Sequence, residues 1–84
     1  MEEVLTVRVP TEVQRMLNRT SEEMSRDLRI YAALMLFRQG KLSSGAAAAM
    51  AGVPRVMFLD LCADYDIPVS QITADELRRE MNRG

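Results

Sequence analysis

The 84-residue chain contains no histidine and a single cysteine, Cys62. One cysteine excludes a disulfide within the chain. Without histidine, one thiol and scattered carboxylates make a poor zinc or iron site. Cys62 lies between Leu61 and Ala63 on a helical pattern, which suits a buried small apolar residue rather than a reactive thiol. No apolar run reaches the roughly 18 residues a membrane span needs; the most apolar stretch, residues 30–37, is half that and runs into Arg38. Glu2 and Glu3 stand where a secretion signal would carry lysines, so the expectation is a cytoplasmic protein. There is no glycine-rich phosphate loop and no nucleophile in a motif context, so no enzyme, cofactor or metal is expected. Asp60 and Asp64 share a helical face, the usual pattern of solvated surface charge.

Charge of one sign is also missing: eleven basic residues face twelve acidic ones. Affinity for DNA comes largely from neutralising phosphates, so a balanced chain binds DNA only if its arginines gather on one face. The half up to Leu42 holds seven basic (Arg8, Arg15, Arg19, Arg26, Arg29, Arg38, Lys41) and six acidic residues; the rest holds four (Arg55, Arg78, Arg79, Arg83) and six. A chain this short buries a limited fraction of its surface. With disulfide and metal set aside, oligomerisation is the remaining source of extra stability.

Residues 4–9 alternate, with Leu5, Val7 and Val9 on one side and Val4, Thr6 and Arg8 on the other, a strand with one apolar face that Pro10 ends. A lone strand leaves its backbone groups unpaired. Residues 68–72 are a weak partner, so the same strand of a second copy is the better one, in an antiparallel ribbon. Thr11 with Gln14 forms a capping box for a short helix to about Arg19, with Val13, Met16 and Leu17 as its stripe. Thr20 or Ser21, with Glu23 or Met24 three places on, opens a long helix to about Gln39. Met24, Leu28, Tyr31, Ala32, Met35 and Leu36 give its stripe, and Ile30, Leu34 and Phe37 make its second half apolar on most sides, the mark of a central helix. Gly40 caps it.

Strand, short helix and long helix is the order of a ribbon-helix-helix subunit, an obligate dimer whose paired strands enter the DNA major groove. In that reading Thr6 and Arg8, with Val4, face the bases, and Arg8 reads guanine bidentately; otherwise the strand's polar face meets water. Glu22 and Glu23 at the long helix's start work against a phosphate grip there.

Residues 41–69 carry a second pattern. Ser43 or Ser44 caps an alanine-rich helix to Ala51. Gly52 and Val53 turn, Pro54 takes the first position of a further helix, and Met57, Phe58, Leu61, Cys62 and Tyr65 face inward, with Arg55, Asp60 and Asp64 outward. This is helix-turn-helix-like. Its second helix offers bases Arg55 alone, followed by Asp60, Asp64 and Asp66, which meet phosphates unfavourably. Thr73 with Glu76 opens a terminal helix, residues 74–82, whose thin stripe is Ile72, Leu77 and Met81.

The fold class expected is therefore mainly α, in three regions. Residues 1–42 form a strand, helix and long helix for dimerisation, residues 43–69 the helix-turn-helix-like part, and residues 70–84 a C-terminal partner-binding segment. Candidate DNA contacts are Thr6, Arg8 and Arg55; candidate partner contacts are Ile72, Leu77, Arg78, Arg79 and Met81.

The run LMLFRQGKLSSGAAAAMAGVPRVMFLDLCADYDIPV, residues 34–69, resembles uncharacterised protein family 0175. Phe37, Arg38, Gly40, Lys41, Leu42, Ser43, Gly45, Ala47, Ala48, Ala51, Gly52, Phe58, Leu61, Ile67 and Pro68 stand where that family has them. The resemblance implies a small prokaryotic antitoxin of a type II pair, encoded beside a PIN-domain ribonuclease, one part dimerising and binding operator DNA and another holding the toxin. The family's glutamate-rich tail is here the mixed segment 73–84. Asp75, Glu76 and Glu80 remain in it, and Arg78 or Arg79 would meet the toxin's metal-binding carboxylates. The other reading is a dimeric protein-interaction module with a degenerate helix-turn-helix and no DNA binding.

Overall fold

A computed structural model describes residues 2–68. The chain is mainly helical: α1 is Thr11–Leu17, α2 Ser21–Arg38, α3 Ser44–Ala51 and α4 Arg55–Asp64. The expected terminal helix and residues 70–84 lie outside the described residues.

Local chemistry sets the helix starts. Thr20 caps α2: its hydroxyl accepts from the Glu23 N–H at 3.1 Å while the Glu23 carboxylate accepts from the Thr20 N–H at 2.9 Å, a complete capping box. The Ser43 hydroxyl accepts from the Ala46 N–H at 3.1 Å at the start of α3. At α1 the expectation fails. Pro10 is the N-cap, Thr11 is already helical and no side chain caps the turn. Gln14, the other half of the expected box, instead donates to the Ser21 hydroxyl at 3.2 Å and ties α1 to α2. Pro54, expected as the first helical residue of α4, is its N-cap.

Each of the four helices among the described residues ends on a left-handed residue: Asn18, Gly40, Gly52 and Asp66. The closing bonds repeat at each. For α4 they are Asp66 N–H to Ala63 O at 3.2 Å and Ile67 N–H to Cys62 O at 2.8 Å; for α3, Gly52 N–H to Ala49 O at 3.2 Å and Val53 N–H to Ala48 O at 3.1 Å. This is the Schellman pattern, in which the residue after the left-handed one turns its side chain back to the helix. Ile67 is buried and Val53 packs against the core.

One core draws on α2, α3 and α4: Ala33, Leu34 and Phe37; Ala47, Ala48 and Ala51; Phe58 and Cys62; then Ile67. The alanines let α2 and α3 approach closely. Phe37 and Phe58 meet edge to face at 5.5 Å in the space this leaves. Residues on both sides of the 40–44 connection share that core.

The α2 stripe is only partly as expected. Met24 is buried, and so are Leu34 and Phe37 of the apolar second half together with Ala33, whereas Leu28, Tyr31 and Met35 are exposed. A helix apolar on most sides does not fix its own phase; the alanine face of α3 does. Met57 and Tyr65 of the α4 region also lie outside rather than inside, since α4 turns Phe58 and Cys62, four residues apart, to the core. The α1 stripe stays open: α1 has no buried residue, and Met16 is 82% exposed.

No strand forms at the N-terminus. Residues 2–9 belong to no helix or strand, and among the described residues their backbone groups make no hydrogen bond. The reason is the one that makes any lone strand unstable: the described chain offers nothing to pair with. Val4, Leu5 and Val7 are left 96%, 79% and 67% exposed.

Candidate functional site

Thr6 and Arg8 are both exposed, on the segment ahead of α1 that belongs to no helix or strand. In sequence they alternate with Leu5 and Val7, which are exposed as well, so a polar and an apolar pair share one short piece of backbone. Arg55, read as pointing outward from α4, is half-buried. Its Nε–H donates to the Ser44 hydroxyl at 3.0 Å, and Ser44 itself is fully buried at the start of α3. The bond ties the first turn of α4 to the first turn of α3. Ile72, Leu77, Arg78, Arg79 and Met81 lie outside the described residues.

α3 and α4 turn through 92° about Gly52–Pro54. That angle is near the 90–120° of helix-turn-helix pairs. The outward face of α4, however, is Val56, Met57, Asp60, Ala63 and Asp64, all exposed. It carries no basic residue.

At the start of α2 the charges are organised differently. Arg19 follows the left-handed Asn18 and reaches into the first turns of α2. Its Nε and Nη2 donate to the two Asp27 carboxylate oxygens at 3.0 and 3.1 Å, and its Nη1 stands 3.2 Å from a Glu23 oxygen. The Glu23 carboxyl is held below its ordinary range, first by the Thr20 backbone N–H and then by the Thr20 side chain and Arg19. Glu23 is thus committed within the fold, and Glu22 alone remains as the exposed carboxylate of that turn. An open depression of about 360 Å³ lies along α1 and the turn that follows it, lined by Thr11, Gln14, Arg15, Asn18, Arg19 and Thr20. Among the described residues, no three His, Cys, Asp or Glu side chains converge on a metal-sized site.

Two features were not read from the sequence. Arg29 crosses from α2 to the end of α3, its Nε–H donating to the Met50 carbonyl at 2.8 Å. No local pattern marks a pair 21 residues apart. The exposed Val56–Met57 pair could have been found from the wheel alone, by noting that positions 56, 57, 60, 63 and 64 share a face once Phe58 and Cys62 are placed inside.

Cys62 is fully buried, and burial raises its thiol above the ordinary value, as for a small core residue. No single helix among the described residues is long and apolar enough to cross a membrane.

These elements define a small, mainly helical protein built on one shared core. The chain belongs to the uncharacterised protein family UPF0175, whose model matches residues 1–83. No curated protein and no solved structure matches it.

Proposed function

We propose that the protein is a dimeric antitoxin of a type II toxin–antitoxin pair. Two copies pair their N-terminal segments as an antiparallel ribbon, place Thr6 and Arg8 on operator DNA, and neutralise a PIN-domain-like ribonuclease. The observation that carries this reading is the state of residues 2–9: part of no helix or strand, with Val4, Leu5 and Val7 exposed, hydrogen-bonded to nothing among the described residues, and followed by a short and a long helix. A segment of this composition exposed to water costs free energy in proportion to its apolar area. Pairing with a second copy satisfies the backbone and covers Leu5 and Val7 in one step. Membership of the family agrees with the resemblance over residues 34–69.

Fluorescence anisotropy on the intergenic DNA upstream of the gene tests the DNA part. Binding is expected to weaken steeply as salt rises and to be lost in Arg8→Ala. Equal binding by Arg8→Ala would remove the ribbon as the reader, and no binding at any salt would remove the DNA role from the isolated protein. Removing residues 69–84 is expected to abolish co-purification with the neighbouring gene's ribonuclease, since Ile72, Leu77, Arg78, Arg79 and Met81 are the proposed contacts.

The second reading, a dimeric interaction module that does not touch DNA, is favoured by α4. Arg55, the basic residue that a reading helix would offer to bases, is bonded to Ser44, and the helix's outward face is apolar and acidic. Failure of the anisotropy titration with retention of a dimer is the result that would select it.

A further inference from the structure

We infer that the outward face of α4 docks in the RNA-binding groove of the ribonuclease partner, with Asp60 and Asp64 standing in for RNA phosphates. The inference rests on the antitoxin reading and assigns the part of this chain that blocks the enzyme.

Val56 and Met57 are 72% and 51% exposed on the first turn of α4, while Phe58 beside them is fully buried. One and two turns further along the same face come Asp60 and Asp64, and exposed Asp66 follows in the left-handed conformation. The placement of these acids works against the helix. Carboxylates at the C-terminal end oppose the dipole, and like charges four residues apart repel. No ion pair offsets this among the described residues: Arg19 bridges to Glu23 and Asp27, and Arg55 turns inward to Ser44. Among the described residues the face is therefore an apolar patch continued by negative charge with no ion-pair partner.

Charge decides what can cover it. DNA and anionic lipid are repelled. A protein that binds single-stranded RNA needs a positively charged groove that tracks the backbone, beside apolar or aromatic surface on which bases stack. The α4 face offers the complement of both, carboxylates one helical turn apart and an apolar pair next to them. Docked there, it excludes RNA by occupying its place, so inhibition is competitive with RNA and weakens as salt screens the contact.

The test uses the full-length chain, the purified ribonuclease encoded beside it, and a fluorogenic single-stranded RNA. The wild type is expected to inhibit competitively, less at about 300 mM than at about 50 mM salt. Asp60→Asn/Asp64→Asn and, separately, Val56→Ser/Met57→Ser are expected to weaken inhibition by at least roughly tenfold, with Glu12→Gln unchanged. Thermal melts of both α4 variants establish that they remain folded. Undiminished inhibition by the folded Asp60→Asn/Asp64→Asn variant, or inhibition not relieved by excess RNA, overturns this inference and leaves the antitoxin reading standing. A wild type that neither binds nor inhibits the ribonuclease overturns the antitoxin reading, and this inference with it. A change of sedimentation mass in the α4 variants would show the face covered by a second copy instead, which also overturns it.

Discussion

Arg29 closes the end of α3 from outside: its Nε–H donates to the Met50 carbonyl oxygen at 2.8 Å, and its guanidinium lies over Gly52. Helix C-termini leave carbonyls without intrahelical partners and carry a partial negative charge, so a cation here serves both needs. Gly52 has φ +75°, and a Cβ added to it would stand 3.3 Å from the Arg29 guanidinium. Arg29→Ala is expected to cost about 1 kcal/mol by urea denaturation. Gly52→Ala is expected to cost about 1–2 kcal/mol from the left-handed backbone alone, plus the displacement of Arg29. In an Arg29→Ala background only the backbone part of the Gly52→Ala cost remains, so the two substitutions should cost less together than the sum of each alone. A strictly additive cycle would show that the guanidinium does not rest on Gly52 in solution.

The helices were legible because their ends are written locally. The box of Thr20 and Glu23, Ser43 as cap, and the stops at Gly40 and Gly52 each need only residues within one turn. What was not legible is which side of each helix faces in. Met57 is as apolar as Phe58, and only packing against α3 decides that Phe58 goes inside. Leu28, Tyr31 and Met35 form as regular a stripe as Ala33, Leu34 and Phe37, yet small alanines on α3 favour the latter group, which allows a closer approach. The same holds for the candidate site. Thr6 and Arg8 are exposed, but so are Leu5 and Val7, so no polar face is singled out; Arg55, read as outward, is drawn to the Ser44 hydroxyl, and no sequence rule links those two positions. The strand expected over residues 4–9 does not form, because among the described residues its backbone has nothing to pair with.

Asp66 holds φ +57° at the end of α4, where α2 and α3 use glycine. A left-handed residue with a Cβ costs roughly 1–2 kcal/mol, partly offset because glycine gives the unfolded chain more freedom. Asp66→Gly also removes a carboxylate from the negative end of the helix. It is expected to stabilise the protein by about 0.5–1 kcal/mol, raising Tm by about 4 °C, while Asp66→Ala lowers it. Equal shifts for Gly and Ala would mean that the left-handed turn is not populated.

Glu23 gives a stability contribution with a definite pH sign. Its folded-state pKa lies below the ordinary 4.5, chiefly through the Thr20 N–H, then the Thr20 side chain and Arg19. A depressed carboxyl stabilises the fold above its unfolded pKa and loses that effect as pH falls through the lowered folded value. Glu23→Gln keeps a capping acceptor but cannot titrate. The stability difference between wild type and Glu23→Gln should therefore be present near about pH 7 and shrink below about pH 4.5, read as urea midpoints at matched salt. A difference that is flat, or grows in acid, would contradict the capping box.

Cys62 supplies a reporter for the core. The thiol is fully buried and its pKa is raised by burial, so the reactive thiolate is suppressed while the fold is closed. A disulfide reagent should modify it only through opening of the core. Phe58→Ala removes the ring that meets Phe37 at 5.5 Å and is expected to cost about 3–5 kcal/mol, a large share of the stability of so small a domain. Thiol modification should accelerate steeply in that variant and stay slow in the surface variant Met16→Ser. Fast modification of the wild type would show that the α4–α2 contact opens readily.

The two sides of the N-terminal segment separate assembly from recognition. In a paired strand Leu5 and Val7 would lie on one side and Thr6 and Arg8 on the other, since side chains of a strand alternate strictly between faces. If two copies pair through residues 4–9, the apolar side packs into the dimer, and a charge there must be desolvated or the pair must part. Leu5→Asp/Val7→Asp should therefore sediment as a single chain at micromolar concentration and lose DNA binding as a consequence, with helix content by circular dichroism unchanged, since the α2–α4 core holds neither residue. Thr6→Ala/Arg8→Ala should keep the wild-type mass and lose DNA binding alone. Loss of mass in the polar variant, or an intact dimer in the aspartate variant, would place the dimer contact elsewhere. The exposed Leu28, Tyr31 and Met35 of α2 would then be the next residues to substitute.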